Sequence, residues 1–261
     1  MTLVLQANCG DEYAILTGDL MGRKYSNPDY FERGGDKGDP VEIVLGIQKV
    51  ARVSNLVLAG TAGCHDLGTW LRKDLQAQAG SGDDLASCMV LAGRIIESMK
   101  SKKHAREVFG MEPLYLNHLY NPYCFGFVLT GFYKGGGTGQ VVFHSSPEGG
   151  SFKEVRSKGN RSYYMFTPAN NYKQEMDAFF DLKGGPPVIT STLAQMTVLH
   201  HTLSGMLPEH ISGQMEILIL ERKKRGMKPG FIKIDVDQPT IEGAIKNIGL
   251  VYASKSLLCL N

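Results

Sequence analysis

The residue with the clearest chemical potential is Thr2, which stands directly behind Met1. A side chain as small as that of threonine generally permits removal of the preceding methionine, and Thr2 would then carry a hydroxyl nucleophile and a free α-amino group. Because an α-amino group titrates at about pH 7.7 to 8.0, it can accept the hydroxyl proton near neutral pH. The sequence therefore raises the hypothesis of acyl transfer by an N-terminal threonine. The alternative is a strand residue blocked by a retained Met1.

The stretch around Thr2 predicts a hairpin. Residues 3–7 and 13–17 carry strand-forming residues joined by the turn-forming NCGDE, which places Thr2 at a strand tip. Residues 21–40 are rich in Gly, Pro, Asp and Asn and predict a long surface loop, a kind of segment that is often functional. Strands QKVARVS and LVLAGTA follow. A helix over 65–79 comes next, and a second helix begins at SGDDLAS with Ser81 or Asp83 as its cap.

The second half predicts further strands around one long helix. A meander of hairpins is predicted for CFGFVLTGFY, GQVVFHSS and FKEVRSKG. The long helix is predicted for TSTLAQMTVLHHTLSGM. It is followed by two strands, MEILILER and GFIKIDV, and by a short helix from about Asp237. The basic run 222–225 predicts a solvated turn. Strands and helices come in blocks, which favours an α+β fold with antiparallel sheets. No linker divides the chain, so one domain is expected over residues 1–261.

Composition excludes several classes of function. The 261 residues are 43% hydrophobic with a net charge of +2, which predicts a globular protein and gives no reason to expect nucleic acid or a membrane as a partner. The five cysteines are scattered without CxxC spacing, which argues against a disulfide framework and a zinc site. No metal or other cofactor is expected. The N-terminus does not read as a secretory signal, so a cytoplasmic location is expected.

Three further features are interpreted as structural. GGGTG at 135–139 is not followed by a helix, so it predicts a hairpin turn and not a phosphate loop. His200 and His201 are adjacent on a predicted helix and cannot form the i, i+4 pair of a helical metal site, so they are interpreted as packing or surface residues. Cys64 at a predicted helix start is interpreted as a pocket wall.

Four motifs occur in an order that resembles the proteasome β-type subunits, which are N-terminal-nucleophile (Ntn) hydrolases. They are Thr2, ILTGD ending at Asp19, QKVARVSNLVLAGTAG running from Lys49 to Gly63, and EHISGQMEILIL, where Glu209 stands in place of the family's aspartate. The resemblance covers about residues 2–220 and leaves 221–261 as a C-terminal extension. It implies a four-layer αββα sandwich, in which helices flank two antiparallel sheets.

The resemblance also implies roles for individual residues. Lys49 would lower the pKa of the Thr2 α-amino group, and Asp19 would hold Lys49 in place. Gly63 would supply the oxyanion hole, and Glu209 and Ser212 would organise the α-amino group. The substrate pocket would be lined by Ala51, Thr61 and His65, and Ser162 would be an additional active-site serine.

The function implied is that of a threonine peptidase, a hydrolase that cleaves peptides or proteins after autoprocessing or Met1 removal. One alternative is a connectase-like peptide ligase, with the 21–40 segment and the 108–124 insertion recognising the substrate. The other is a catalytically silent subunit. The family's assemblies imply a homo-oligomeric ring, or assembly with other proteasome-like subunits, including bacterial proteasome-like ones.

Overall fold

The computed structural model describes residues 3–25, 40–101, 117–120, 125–154, 161–166, 189–222, 230–238 and 240–258. The strands are β1 (Val4–Cys9), β2 (Tyr13–Asp19), β3 (Met21–Tyr25), β4 (Pro40–Leu45), β5 (Val50–Arg52), β6 (Val57–Gly63), β7 (Phe125–Phe132), β8 (Thr138–His144), β9 (Ser151–Glu154), β10 (Arg161–Phe166), β11 (Met215–Glu221) and β12 (Gly230–Val236). The helices are α1 (His65–Gln78), α2 (Leu85–Met99), α3 (Asn117–Tyr120), α4 (Ile189–Met206) and α5 (Ile241–Leu258).

Two five-stranded antiparallel sheets organise the described residues. The first sheet has the order β10-β1-β2-β11-β12, and the second has the order β5-β6-β7-β8-β9. The β1–β2 hairpin is therefore central to the first sheet, and its register pairs Val4 with Gly18. On its other side β2 pairs with β11, with Asp19 opposite Met215. These pairings confirm the predicted α+β class with antiparallel sheets.

Strand alternation divides the apolar residues among three clusters, because successive side chains point to opposite faces of a sheet. Leu3, Leu5 and Ile15 pack with residues of α4 and α5. Val4 and Leu16 instead belong to a cluster that joins the first sheet to the second. The third cluster packs α1 and α2 against the second sheet, and its members include Leu71, Ile95, Phe127 and Leu129.

The prediction of a loop over residues 21–40 is wrong at its start. Residues Met21–Tyr25 form β3, which pairs with β4 in a separate two-stranded sheet, in a register that places Met21 opposite Leu45. We call this pair of strands the ribbon. The turn-forming residues concentrate in 26–39, outside the described residues. Because the whole segment was interpreted by its Gly, Pro and Asp content, the strands on either side of 26–39 were not predicted. The described part of the 108–124 insertion is α3.

The predicted helices are present, but the cap of α2 and both ends of α5 differ from the predictions, since α5 begins at Ile241 and not near Asp237. The cap of α2 is Asp84 and not Ser81 or Asp83, because the Asp84 carboxylate accepts a hydrogen bond from Ser87 N at 3.0 Å. The final helix, α5, has 18 residues and is not short. Residues assigned above to a C-terminal extension supply β12 and α5, and both contribute to the apolar cluster on the first sheet.

Candidate active site

Asp19 ends β2 and lies where the chain enters β1. Its side chain is fully buried, and its Oδ1 accepts a hydrogen bond from Leu3 N at 2.7 Å. Its Oδ2 accepts from Met21 N at 3.1 Å, while its own backbone N–H donates to Leu3 O at 3.0 Å. Leu3 is thus fixed to Asp19 by two hydrogen bonds. The residue before Leu3, Thr2, lies outside the described residues.

Lys49 lies immediately before β5 and completes a buried ion pair. Its Nζ is 2.6 Å from Asp19 Oδ1 and also donates to Met21 O, and 5% of its side chain is exposed. Burial lowers the pKa of Lys49, and the negative charge and hydrogen bond of Asp19 oppose that shift. A buried ammonium needs such a partner to stay charged. The structure therefore brings Asp19 and Lys49 together at the anchored end of β1.

Gly63 is the last residue of β6, and one residue, Cys64, separates it from the start of α1. Its φ of 90° lies in the left-handed region that favours glycine, and its register partner is Phe125 on β7. The strand bearing Gly63 also runs past the lysine, since Thr61 N donates to Lys49 O at 2.9 Å. Gly63 thus lies two residues beyond a direct contact with Lys49, on the strand end that leads into a helix.

Ser212 and Glu209 lie in the segment between α4 and β11, and they differ in environment. Ser212 is 6% exposed, and its Oγ accepts a hydrogen bond from Gln214 N at 3.0 Å. The residue after Gln214, Met215, is the register partner of Asp19 in the pairing of β11 with β2. The Glu209 side chain is 82% exposed and lies 4.0 Å from the buried Arg23 guanidinium of the ribbon. Ser212 is therefore held near the Asp19 end of β2, whereas Glu209 lies on the surface beside Arg23.

His200 is a residue whose position in the site sequence reasoning missed. It lies on α4, is fully buried, and its Nε2 is 2.7 Å from Ser212 O. Burial lowers the pKa of His200 to about 4, while the negative charge of Asp19 acts in the opposite direction. Helical spacing could have predicted the burial of His200, because Met196 and Leu203, four residues before it and three after it, are apolar and buried.

The residues proposed for a pocket do not share one environment. Ala51 and Thr61 are buried, and Thr61 packs so closely on α1 that a Cβ added at Gly68 would lie 2.7 Å from Thr61 Cβ. His65 begins α1 and is exposed, with Nε2 3.4 Å from Thr69 Oγ1. Ser162, which was predicted as an additional active-site serine and not as a pocket residue, lies on β10 in register with Asn8, toward the far end of β1 from Leu3.

Two general features of the described residues bear on ligands. They contain no group of three or more His, Cys, Asp or Glu side chains arranged to hold a metal ion. None of the helices in this part of the chain is long and apolar enough to cross a membrane.

Comparisons with known proteins add the fold relationship. The chain matches no protein-family profile and no curated protein. Among solved structures it is similar to the Gly-1 mutant of Anbu from Hyphomicrobium sp. strain MC1, with a TM-score of 0.55 and 12% identity over 99% of this chain and 97% of that one. It is equally similar to Anbu, described as an ancestral beta-subunit, from Yersinia bercovieri, with a TM-score of 0.55 and 14% identity over 96% and 94% of the two chains. The chain therefore has the proteasome-like fold of these Anbu proteins over nearly its whole length.

Proposed function

We propose that this protein is an N-terminal-nucleophile threonine peptidase that acts after removal of Met1. The observation that carries the proposal is the buried Asp19–Lys49 pair, because it is hydrogen-bonded to Leu3, the residue next to Thr2. A buried ion pair costs desolvation and is a weak device for stability alone. Its placement at the start of β1 suits a catalytic role.

The proposed reaction proceeds in two steps. The α-amino group of Thr2 takes the proton of its hydroxyl, Oγ attacks the peptide carbonyl, and the C–N bond breaks as the amine leaves with a proton. Water then attacks the resulting ester and releases the carboxylic acid and free Thr2. The Lys49 charge favours the neutral form of the α-amino group and stabilises the developing alkoxide.

Gly63 and Ser212 have supporting roles in this proposal. The Gly63 N–H precedes α1 and would donate to the oxyanion of the tetrahedral intermediate. Ser212 would organise the α-amino group, together with Glu209 if that side chain turns from Arg23. Ala51, Thr61 and His65 would surround the substrate side chain, with exposed His65 at the entrance.

A connectase-like ligase is the second candidate, because one observation favours it. Val41, Ile43 and Leu45 of the ribbon are 65%, 54% and 60% exposed. They alternate along β4 and so share one face, and β3 begins two residues after Asp19. This apolar face could bind an acceptor polypeptide whose amine replaces water as the attacking group. A catalytically silent subunit is the third candidate.

The finer structural expectations form part of the same proposal. The three apolar clusters support a four-layer αββα sandwich in one domain. Oligomeric assembly and a cytoplasmic location are proposed by analogy with proteasome-type proteins.

The decisive experiment is the intact mass of the purified protein before and after treatment with a threonine-directed epoxyketone or β-lactone. We expect loss of Met1 and one adduct on Thr2, with no adduct on Thr2→Ala. The Lys49→Met variant should react at least about 100-fold more slowly, the scale typical of losing one preorganised group that stabilises the transition state. Its matched control is Lys24→Met, which removes a lysine from the exposed pair with Glu42 and should react like the wild type.

Three results would separate the candidates. A retained Met1 with no adduct would support the silent subunit and refute the peptidase. If an adduct forms, a peptide substrate incubated with an amine-bearing second peptide decides between hydrolysis and ligation. Only ligation produces the joined mass.

A further inference from the structure

We propose that His200 is a positioning residue that holds the backbone of Ser212 near the Asp19 end of β2 through a fixed Nε2–H donor. This inference rests on the proposed function and adds a residue to it. It stands on the 2.7 Å contact between His200 Nε2 and Ser212 O, and on the complete burial of the imidazole.

The geometry determines the tautomer of His200. A carbonyl oxygen only accepts hydrogen bonds, so Nε2 must carry the proton. Nδ1 is buried and has no hydrogen-bond partner in the described structure, so in the neutral ring it is the deprotonated nitrogen. Protonating it would bury a second N–H without an acceptor, which is unfavourable. His200 is thus a neutral donor at neutral pH.

The charged groups around His200 support the same state. Asp19 on β2 and Lys49 before β5 both act on the imidazole, with opposite effects on its charged form. His201, its neighbour on α4, also acts against the charged form and has its own pKa lowered by burial. Since Asp19 and Lys49 already neutralise each other, a third charge has no stable place in this cluster.

The contact to Ser212 constrains a short and otherwise turn-rich segment. Ser212 is held at its carbonyl by His200 and at its Oγ by Gln214 N, and the next residue, Met215, pairs with Asp19. Without the His200 donor, the carbonyl of Ser212 would lose its buried partner and the segment could rotate. Its link to β11 would remain, so we expect a local displacement of Ser212 and not loss of the sheet.

The test compares three replacements of His200. Gln places its side-chain Nε2 close to the position of the imidazole Nε2 and can donate to Ser212 O. Asn is one methylene shorter, and Leu has no donor. We expect His200→Leu and His200→Asn to react with the β-lactone about tenfold more slowly, the scale of one lost buried hydrogen bond, while His200→Gln stays within about threefold of the wild type.

A second readout does not depend on activity. Amide hydrogen exchange at residues 212–215 should accelerate in His200→Leu and return toward the wild-type rate in His200→Gln. Exchange in β7, which belongs to the other sheet, should not change among the variants and serves as the internal control.

The outcomes separate this inference from the proposed function. If the wild type is not labelled, the peptidase proposal fails, and the inference fails with it as a statement about catalysis. If the wild type is labelled and the Gln and Leu variants slow equally, donation to Ser212 is not the role of His200. Unchanged exchange at residues 212–215 in His200→Leu would also overturn the inference.

Discussion

Removing the charge of Lys49 while keeping an unbranched side chain of similar size should destabilise the protein strongly. In Lys49→Met the Asp19 carboxylate stays fully buried and loses its ammonium partner, although Leu3 N and Met21 N still donate to it. Breaking a buried pair by removing one partner typically costs about 3 to 5 kcal/mol. Two remaining hydrogen bonds reduce that penalty, so we expect a loss of about 3 kcal/mol in the free energy of unfolding at pH 7.

The measurement is urea unfolding followed by tryptophan fluorescence from Trp70 and by circular dichroism. Lys24→Met is the matched control, because Lys24 and Glu42 form an ion pair whose side chains are 66% and 52% exposed. An exposed pair contributes at most about 1 kcal/mol, and the control should fall within that limit.

A double variant locates the origin of the effect. Asp19→Asn combined with Lys49→Met removes both charges, so it should lose less than the sum of the two single variants by about 1 to 3 kcal/mol. Equal losses for Lys49→Met and Lys24→Met would refute the reasoning, because they would mean that the buried carboxylate does not depend on Lys49. Additive single variants would refute it as well.

The remaining predictions concern pH, backbone conformation and the ribbon. The folded-state pKa of His200 is about 4 against an ordinary 6.5. The unfolded chain therefore binds more protons between these values, and stability should fall as pH drops through that window. His200→Gln should remove about 2 kcal/mol of that pH dependence between pH 7 and pH 4.5, as measured by urea unfolding. Gly63→Ala should cost about 1 kcal/mol at its φ of 90° and slow β-lactone labelling, whereas Gly10→Ala, at φ 55° in the distant hairpin turn, should have a similar stability cost and normal labelling. Equal labelling of the two variants would contradict a role for the Gly63 N–H. Changing Ile43 and Leu45 to Ser should leave unfolding stability within about 0.5 kcal/mol because both are exposed. The same change should lower ligation yield or oligomer size in sedimentation, and no change in either would leave the apolar face without a role.

Local signals predicted the elements nearest the site well. The turn NCGDE set the β1–β2 hairpin, and the described strands extend the predicted ones by two residues at their C-terminal ends. The α1 helix over His65–Gln78 agrees with its apolar spacing to within one residue. Such elements are predictable because their determinants lie within a few residues of one another.

The contacts that build the site required more than local signals. Asp19 and Lys49 are 30 residues apart, and no periodicity relates them, so their pairing was available only through the resemblance to proteasome β-type subunits. The ribbon was missed because a segment rich in Gly, Pro and Asp concealed the pairing of the strands on either side. His200 was interpreted from its neighbour His201, although the face of the helix decides which side chains are buried.

The strand order of the first sheet has a consequence for synthesis on the ribosome. The β1–β2 hairpin emerges first, but its neighbours on the two sides, β10 and β11, begin at Arg161 and Met215. Both edges of the hairpin therefore stay open until Arg161 has been made, and open edges with apolar faces favour aggregation. The Asp19–Lys49 pair also remains without the strand that covers it until Met215 has left the exit tunnel. The hairpin is therefore made well before the strand that pairs with its Asp19 end, and the site can be completed only after β11 has been made.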